Sequence, residues 1–234
     1  MQDLNILYED NHIIVVLKPQ NVLSQGDSTQ DKSLLDMVKE YIKQKYNKPG
    51  NVYVGLVHRL DRPTGGVMVF AKTSKAADRL TQQMKEKTFS KKYLAVVVGA
   101  PRYKASRLEH FLKKDENTNI VKVVPRGEDG AKQAILEYNT IKTLDKVSLL
   151  DVKILTGRSH QIRVQMAQMG CPVFGDVKYK GDTLAKGHNL ALWAYELSFL
   201  HPITKKLMTF KCLPPTNLVP WNVFEKEINL KETK

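Results

Sequence analysis

Between Leu108 and Leu155 the chain repeats one pattern: a run of apolar and β-branched residues, then a short polar turn. The runs are Leu108–Leu112, Ile120–Val124, Ala134–Ile141 and Val147–Leu155. Turns at Asp115–Asn119, Glu128-Asp129-Gly130 and Leu144–Lys146 separate them. Breaks this short join antiparallel neighbours, because a parallel crossover needs about a dozen residues or more. The segment therefore predicts a meander of antiparallel strands.

The flanking sequence adds further strands and three helices. Ile6–Asp10 and Ile13–Leu17 read as strands joined at Asp10-Asn11-His12, with Lys18-Pro19 ending the second. Ser33 is placed to cap a helix running to about Tyr46, with Leu34, Val38, Tyr41 and Ile42 at helical spacing. Val52–Val57 is a short strand and Val67–Ala71 a longer one. Ser74 then opens a second amphipathic helix to about Lys87. Lys91–Val98 is a β-branched strand, and a helix from Ser159 to Met169 stops at Gly170. Strands near Asn189–Leu200 and Met208–Cys212 close the pattern before Leu213-Pro214-Pro215. The expected fold is α+β: one long, mixed, mostly antiparallel sheet flanked by helices and loops. It forms one domain over 1–222, with 223–234 a polar, Lys/Glu-rich tail.

Two short segments concentrate the chemistry. His58-Arg59-Leu60-Asp61-Arg62-Pro63-Thr64-Gly65-Gly66 places one carboxylate among cations on a tight turn that feeds the strand after it. Loops braced by a sheet are where catalytic groups sit. A carboxylate kept ionised beside Arg suits work as nucleophile or base. Taken alone, the segment reads equally as a solvated turn with its arginines in water. The second segment is Thr156-Gly157-Arg158-Ser159-His160-Gln161-Ile162-Arg163-Val164. A helix start here offers free N–H groups and positive charge to a phosphate, and Arg158 adds to it. His160 and Arg163, three apart, share a face. An exposed basic helix face is the alternative.

The arginines support a functional reading. Only eight of the 37 basic residues are Arg, and Arg59, Arg62, Arg158 and Arg163 fall within these two segments. Elsewhere Lys supplies solvated charge, whereas Arg suits a planar grip on carboxylate or phosphate. The net charge of +13 points to a polyanion, first of all nucleic acid. Apolar runs such as Leu94–Ala100 are far below the ~20 residues of a membrane span. Two distant cysteines and six scattered histidines give neither a disulfide framework nor zinc spacing. With no signal peptide at the start, the expected location is the cytoplasm.

Taken together, the motifs resemble those of the RluA-type pseudouridine synthases, which isomerise uridine in ribosomal or transfer RNA. The match begins at Glu9-Asp10 and Val15-Val16-Leu17-Lys18-Pro19 and continues with His58-Arg59-Leu60-Asp61, Thr64 and Gly66. Lys92-Tyr93-Leu94-Ala95 follows. It closes with Thr156–Val164 and Gly170-Cys171-Pro172-Val173-Phe174-Gly175-Asp176. Four ordered motifs at compatible spacing cover the chain from about Ile6 to Leu213.

The resemblance implies a pseudouridine synthase fold with a central active-site cleft and a catalytic aspartate, Asp61. It makes Arg163 the arginine paired with that aspartate. Tyr93 becomes the tyrosine that stacks on uracil and is placed to take the C5 proton. Without the resemblance Tyr93 reads as a core aromatic of its strand. Arg59 matches the arginine associated with the everted nucleotide. His58, Arg62, Thr64, Arg158 and His160 complete the expected RNA-binding set. Gly65 departs from the usual Ser and Gln165 from a frequent His. Many members carry an extra N-terminal RNA-binding domain; with only about five residues before the first strand, none is expected here.

The implied reaction breaks N1–C1′, turns the base and rejoins it through C5, so no metal or other cofactor is expected. RNA is the expected partner, with no obligate protein partner, and the protein is expected to act as a monomer. The insert Pro101–Lys132 and the basic rim are the expected elements of target choice. A rival is an RNA-binding or RNA-remodelling protein on the same fold whose catalysis is dispensable. The presence of Asp61, Arg163 and Tyr93 together favours the enzyme. A carboxylate glycosidase would need a second acid near Asp61, and no nearby motif supplies one.

Overall fold

A computed structural model describes residues 4–180, 185 and 187–232. Met1–Asp3 and the last two residues of the expected tail, Thr233 and Lys234, lie outside the described residues. The chain divides into two compact units. One is Met1–Ser90 with Ala194–Cys212, and the other is Lys91–Trp193 with Leu213–Lys234.

In the first unit, β1 (Ile6–Glu9) and β2 (Ile13–Lys18) form a hairpin, and β2 pairs antiparallel with β4 (Gly65–Ala71). The short β3 (Gly55–Leu56) also pairs with β4. On its other side β4 neighbours β10 (Leu192–Leu200), which pairs antiparallel with β11 (Leu207–Lys211). Every residue of β4 is buried, which explains its unbroken apolar sequence. Two helices accompany this sheet. Helix α1 (Leu34–Lys45) begins at Ser33 with a reciprocal cap, Ser33 Oγ accepting from the Asp36 N–H and the Asp36 carboxylate from the Ser33 N–H. Its buried residues are Leu34, Val38 and Ile42, as their spacing predicts. Helix α2 (Ser74–Lys85) is capped one residue earlier than expected, by Thr73 Oγ1 on the Ala76 N–H. Ala76 and Leu80 of α2 pack with Ile13, Val15, Val67, Val69, Phe89 and Phe199 in one core.

The second unit contains the predicted antiparallel strands but not in meander order, because the strand after the 115–119 turn lies at the edge and the next one pairs on the other side of its predecessor. Strand β5 (Ser90–Val98) pairs with β9 (Val147–Ile154), β9 with β8 (Lys132–Leu144), β8 with β6 (Ala105–Asp115), and β6 with β7 (Ile120–Val124). All four pairings are antiparallel. The expected insert 101–132 is therefore largely the β6–β7 hairpin and its approaches. Helix α3 (Gln161–Gln168) follows β9, and its Val164 packs with Leu112, Val121 and Ala134.

Two expectations change in the second unit. Helix α3 starts at Gln161 rather than Ser159, because His160 at its N-cap position is left-handed with φ 52°. The Gln161 side chain folds back over the turn before the helix, its Oε1 accepting from the Arg158 N–H (3.1 Å) and Thr156 Oγ1 (2.7 Å). The segment 223–234, expected as a polar tail, is also partly packed. A 3-10 turn (Trp221–Phe224) leads into α4 (Glu225–Asn229), burying Trp221, Phe224 and Ile228. Those three residues lie at helical spacing, an apolar stripe masked by the surrounding Lys and Glu. Lys231 pairs with Asp151 on β9. Among the described residues, no helix is long and apolar enough to cross a membrane.

Candidate active site

In the first unit, the segment from His58 to Thr64 links β3 to β4, and its backbone is held by the loop that follows β2. Ser24 is buried and bonds Leu60 twice: its Oγ donates to the Leu60 carbonyl (2.7 Å) and accepts from the Leu60 N–H (3.0 Å). Lys18, at the end of β2, is fully buried, and its Nζ donates to the carbonyls of Pro19 (2.9 Å), Val22 (2.6 Å) and Arg62 (3.0 Å). Gln20 Nε2 donates to the Pro63 carbonyl (3.0 Å). The Thr64 N–H closes the turn onto the Asp61 carbonyl (2.9 Å). Asp61 is thus flanked on both sides by anchored peptides, which is how a short polar loop acquires a fixed geometry.

Burial also sets the electrostatics of this loop. Lys18 is pushed down to about 7, mainly by loss of water, although the Asp61 charge works to raise it and Arg62 to lower it. Arg59 is exposed, and among the described residues nothing holds it by hydrogen bond or ion pair. Arg62 is also exposed, donating to the Asn21 carbonyl (3.2 Å) and pairing with Asp31 (2.7 Å).

His58 and Thr64, expected as RNA contacts, sit in the interior of this unit. His58 is 8% exposed, its Nε2 accepts from the Val69 N–H of β4 (3.1 Å), and its ring meets Phe89 edge-on. Thr64 is 2% exposed, with its hydroxyl unbonded among the described residues. Both side chains are buried and pack the loop from within.

In the second unit, Tyr93 lies on β5 opposite Val152 and is 6% exposed. Lys91, two residues earlier, shares its face of the strand. Burial lowers the Lys91 ammonium below the usual lysine range. Arg163 is buried on α3 and forms a side-on pair with Asp176: Nε donates to Oδ2 (2.7 Å) and Nη2 to Oδ1 (2.8 Å). Its guanidinium lies over the Tyr179 ring, 5.2 Å from the centroid. The Tyr179 hydroxyl accepts from the Val121 N–H (2.9 Å) and bonds His160 Nδ1 (2.8 Å). Arg158 is exposed and donates to the Gln133 carbonyl (3.0 Å). Gln165 is fully buried, its Nε2 bonding His110 Nδ1 (3.0 Å) and the Ala134 carbonyl (3.2 Å), so it braces the helix against β6 and β8.

The structure therefore gathers His58, Arg59, Asp61, Arg62 and Thr64 on one loop of the first unit. It gathers Arg158, His160 and Arg163 around α3 of the second. Three site residues carried no expected role: Lys18, Asp176 and Tyr179. Lys18 had a signal, being a charge that directly ends an apolar run. Asp176 ends the last motif of the resemblance but had no role attached to it, and Tyr179, sixteen residues after Arg163, is marked by no local pattern.

Known proteins match this chain in sequence and in fold. Residues 12–168 match the family model described as RNA pseudouridylate synthase. The chain is 36% identical over 211 residues to the ribosomal large subunit pseudouridine synthase C of Buchnera aphidicola, covering 86% of this chain and 64% of that protein. It is 35% identical over 197 residues to the ribosomal large subunit pseudouridine synthase D of Borreliella burgdorferi, covering 82% and 60%. The chain thus spans less than two thirds of the length of these two relatives. It spans 71% of the ribosomal large subunit pseudouridine synthase D of Vibrio cholerae, at 31% identity and with 96% of this chain covered. In fold, it is similar to the structure of human RNA pseudouridylate synthase domain containing 4, with a TM-score of 0.77 at 22% identity, covering 96% of this chain and 93% of that one. From the family model and these relatives together, the chain belongs to the RNA pseudouridylate synthase family.

Proposed function

We propose that this protein isomerises uridine to pseudouridine in structured RNA, and that its substrate is large-subunit ribosomal RNA, as the names of its relatives suggest. The observation that carries this reading is the anchored Asp61 loop. A carboxylate whose neighbouring peptides are fixed by Ser24, Lys18 and Gln20 is built to act on one atom of a substrate.

The target uridine must first leave its stack, at a cost of a few kcal/mol. The exposed Arg59, Arg62 and Arg158 and the wider positive charge offset this through phosphate contacts, so binding weakens steeply with salt. Asp61 starts the cleavage of N1–C1′, by adding to C1′ or by removing the 2′ proton. The uracil turns, C5 bonds to C1′, and the C5 proton leaves while N1 gains one, so the net change is an isomerisation. In this reading Tyr93 stacks on the base, a contact worth about 1–3 kcal/mol, and takes the C5 proton. Arg163 supplies the cation that the family pattern pairs with the catalytic aspartate. In this reading the protein acts as a monomer in the cytoplasm and needs neither metal nor organic cofactor.

Tritium release from ribosomal RNA labelled at uridine C5 tests the proposal. Wild type releases tritium, and Asp61→Asn binds the same RNA without releasing it. Normal release by Asp61→Asn would remove the aspartate from the mechanism. Binding without release by wild type would favour the RNA-binding alternative.

A further inference from the structure

Arg163 carries five N–H donors in a planar fork. Asp176 takes two of them along one side, Nε to Oδ2 and Nη2 to Oδ1, in a pair whose side chains are 5% and 0% exposed. The end of the fork, with one proton from each of Nη1 and Nη2, is a different edge from the one that Asp176 takes. A side-on pair fixes the rotation of the guanidinium in its own plane. The ring of Tyr179 lies against the guanidinium and limits tilting out of that plane.

The carboxylate that holds this edge is itself held by backbone. Asp176 Oδ1 also accepts from the N–H groups of Lys178 (3.0 Å) and Tyr179 (3.2 Å). The Asp176 N–H donates to the Val173 carbonyl (3.1 Å), and Val173 bridges Val97 of β5. Just before it, Gly175 sits at φ 79°, and a Cβ there would lie 2.4 Å from the Asn189 carbonyl oxygen. Only glycine permits that approach, so the peptide bearing Asp176 is pinned against the strand and the 189 segment.

We propose that Asp176 is a positioning residue for the isomerisation, occupying the side edge of Arg163 so that the end edge is the one presented to the reaction. This rests on the reading of Arg163 as the catalytic cation. A buried ion pair kept only for stability needs charge compensation, which a longer carboxylate also supplies. A positioning role needs the carboxylate where it is. Asp176→Glu separates the two, because it keeps the charge and moves it by one methylene.

The experiment measures kcat and KM on ribosomal RNA labelled at uridine C5. The variants are Asp176→Glu, Asp176→Asn, Arg163→Met and the double variant Arg163→Met/Asp176→Glu. Asp176→Glu is expected to remain folded, to hold KM within about two-fold, and to lose kcat by roughly ten- to a hundred-fold, the scale of a 1 Å misplacement. In the Arg163→Met background the same change is expected to have no further effect, because Asp176 acts through that arginine. Wild-type kcat in Asp176→Glu would overturn the inference, as would losses that multiply in the double variant. A second measurement does not depend on turnover: exchange of the Arg163 Nε–H with water, followed by NMR. It is expected to be slow in wild type and accelerated in Asp176→Asn, and equal rates would overturn the clamp. A wild type silent on RNA would defeat the enzymatic reading, with the exchange rates still deciding the clamp.

Discussion

The ammonium of Lys18 donates to the main-chain carbonyl of Arg62 across 3.0 Å, joining the end of β2 to the residue after Asp61. Its other two protons meet the carbonyls of Pro19 and Val22, so all three are used inside the protein. Loss of water lowers this group to about 7, well below the 10.5 of an unconstrained lysine. Below pH 7 both folded and unfolded chains hold the proton, and the burial cost is fully present. Between pH 7 and 10.5 the unfolded chain binds more protons, so stability rises with pH across that window. Urea unfolding at a series of pH values should show this rise, on the order of a few kcal/mol at most. Lys18→Met should flatten it. An equal slope in both proteins would show that Lys18 titrates normally.

Ser24→Ala tests the other anchor of the same loop. It leaves the Leu60 N–H and carbonyl without their buried partner, at about 1–3 kcal/mol for such unsatisfied groups. Leu60 immediately precedes Asp61, so the loop loosens where the chemistry is proposed. We expect a lower melting temperature and a kcat reduced by roughly ten-fold or more, with RNA binding little changed. Full activity at a reduced melting temperature would make the anchor structural only.

Much of this was legible in the sequence because it is local. Alternating and continuous apolar runs located the strands, and Ser33 with Asp36 located the start of α1. Asp61, Tyr93 and Arg163 take their proposed roles only from membership of ordered motifs. The rest depends on the folded chain. Nothing local distinguishes Thr73 from Ser74 as a cap, since both carry the needed hydroxyl. The left-handed His160 is held by tertiary contact with Tyr179, nineteen residues away, and shortens a helix its sequence would have extended. The inward turn of His58 follows from a bond to Val69, which only the β3–β4 geometry creates. Trp221, Phe224 and Ile228 are the exception: their spacing was readable and was outweighed by the charged residues around them.

Gly66 is the residue of the loop motif whose replacement should be least tolerated. It has φ 129°, and a Cβ would fall 2.3 Å from the Ala194 carbonyl oxygen and 2.6 Å from its nitrogen. Both are backbone atoms of the adjacent strand β10 and cannot move aside alone. Gly127, at φ 94°, has open space around the same position. Gly66→Ala should therefore destabilise by about 3 kcal/mol or more, combining overpacking with strain, while Gly127→Ala costs about 1 kcal/mol from its dihedral alone. Thermal melts of the two variants measure the difference. Equal shifts would mean that β4 and β10 can separate to admit a methyl group.

Glu9 should govern how the first unit responds to acid. Burial alone would raise its carboxyl, but hydrogen bonds from Lys45 (2.6 Å), Lys72 (2.6 Å), Tyr46 (2.8 Å) and Tyr41 (2.9 Å) outweigh that and hold it at about 2. A folded value below the unfolded 4.5 gives stability that is complete above about pH 4.5. It is lost as pH falls toward 2. Lys45 is half exposed, and its share is weakened by solvent and salt, so we expect about 2 kcal/mol in all. Glu9→Gln keeps the shape but removes the anion from two lysines. It should lower stability at pH 7 and leave stability less dependent on pH between 4.5 and 2. Chemical denaturation at pH 7, 4 and 3 tests both parts. A variant as stable as wild type at pH 7 but equally acid-sensitive would show that the cluster is solvated and contributes nothing.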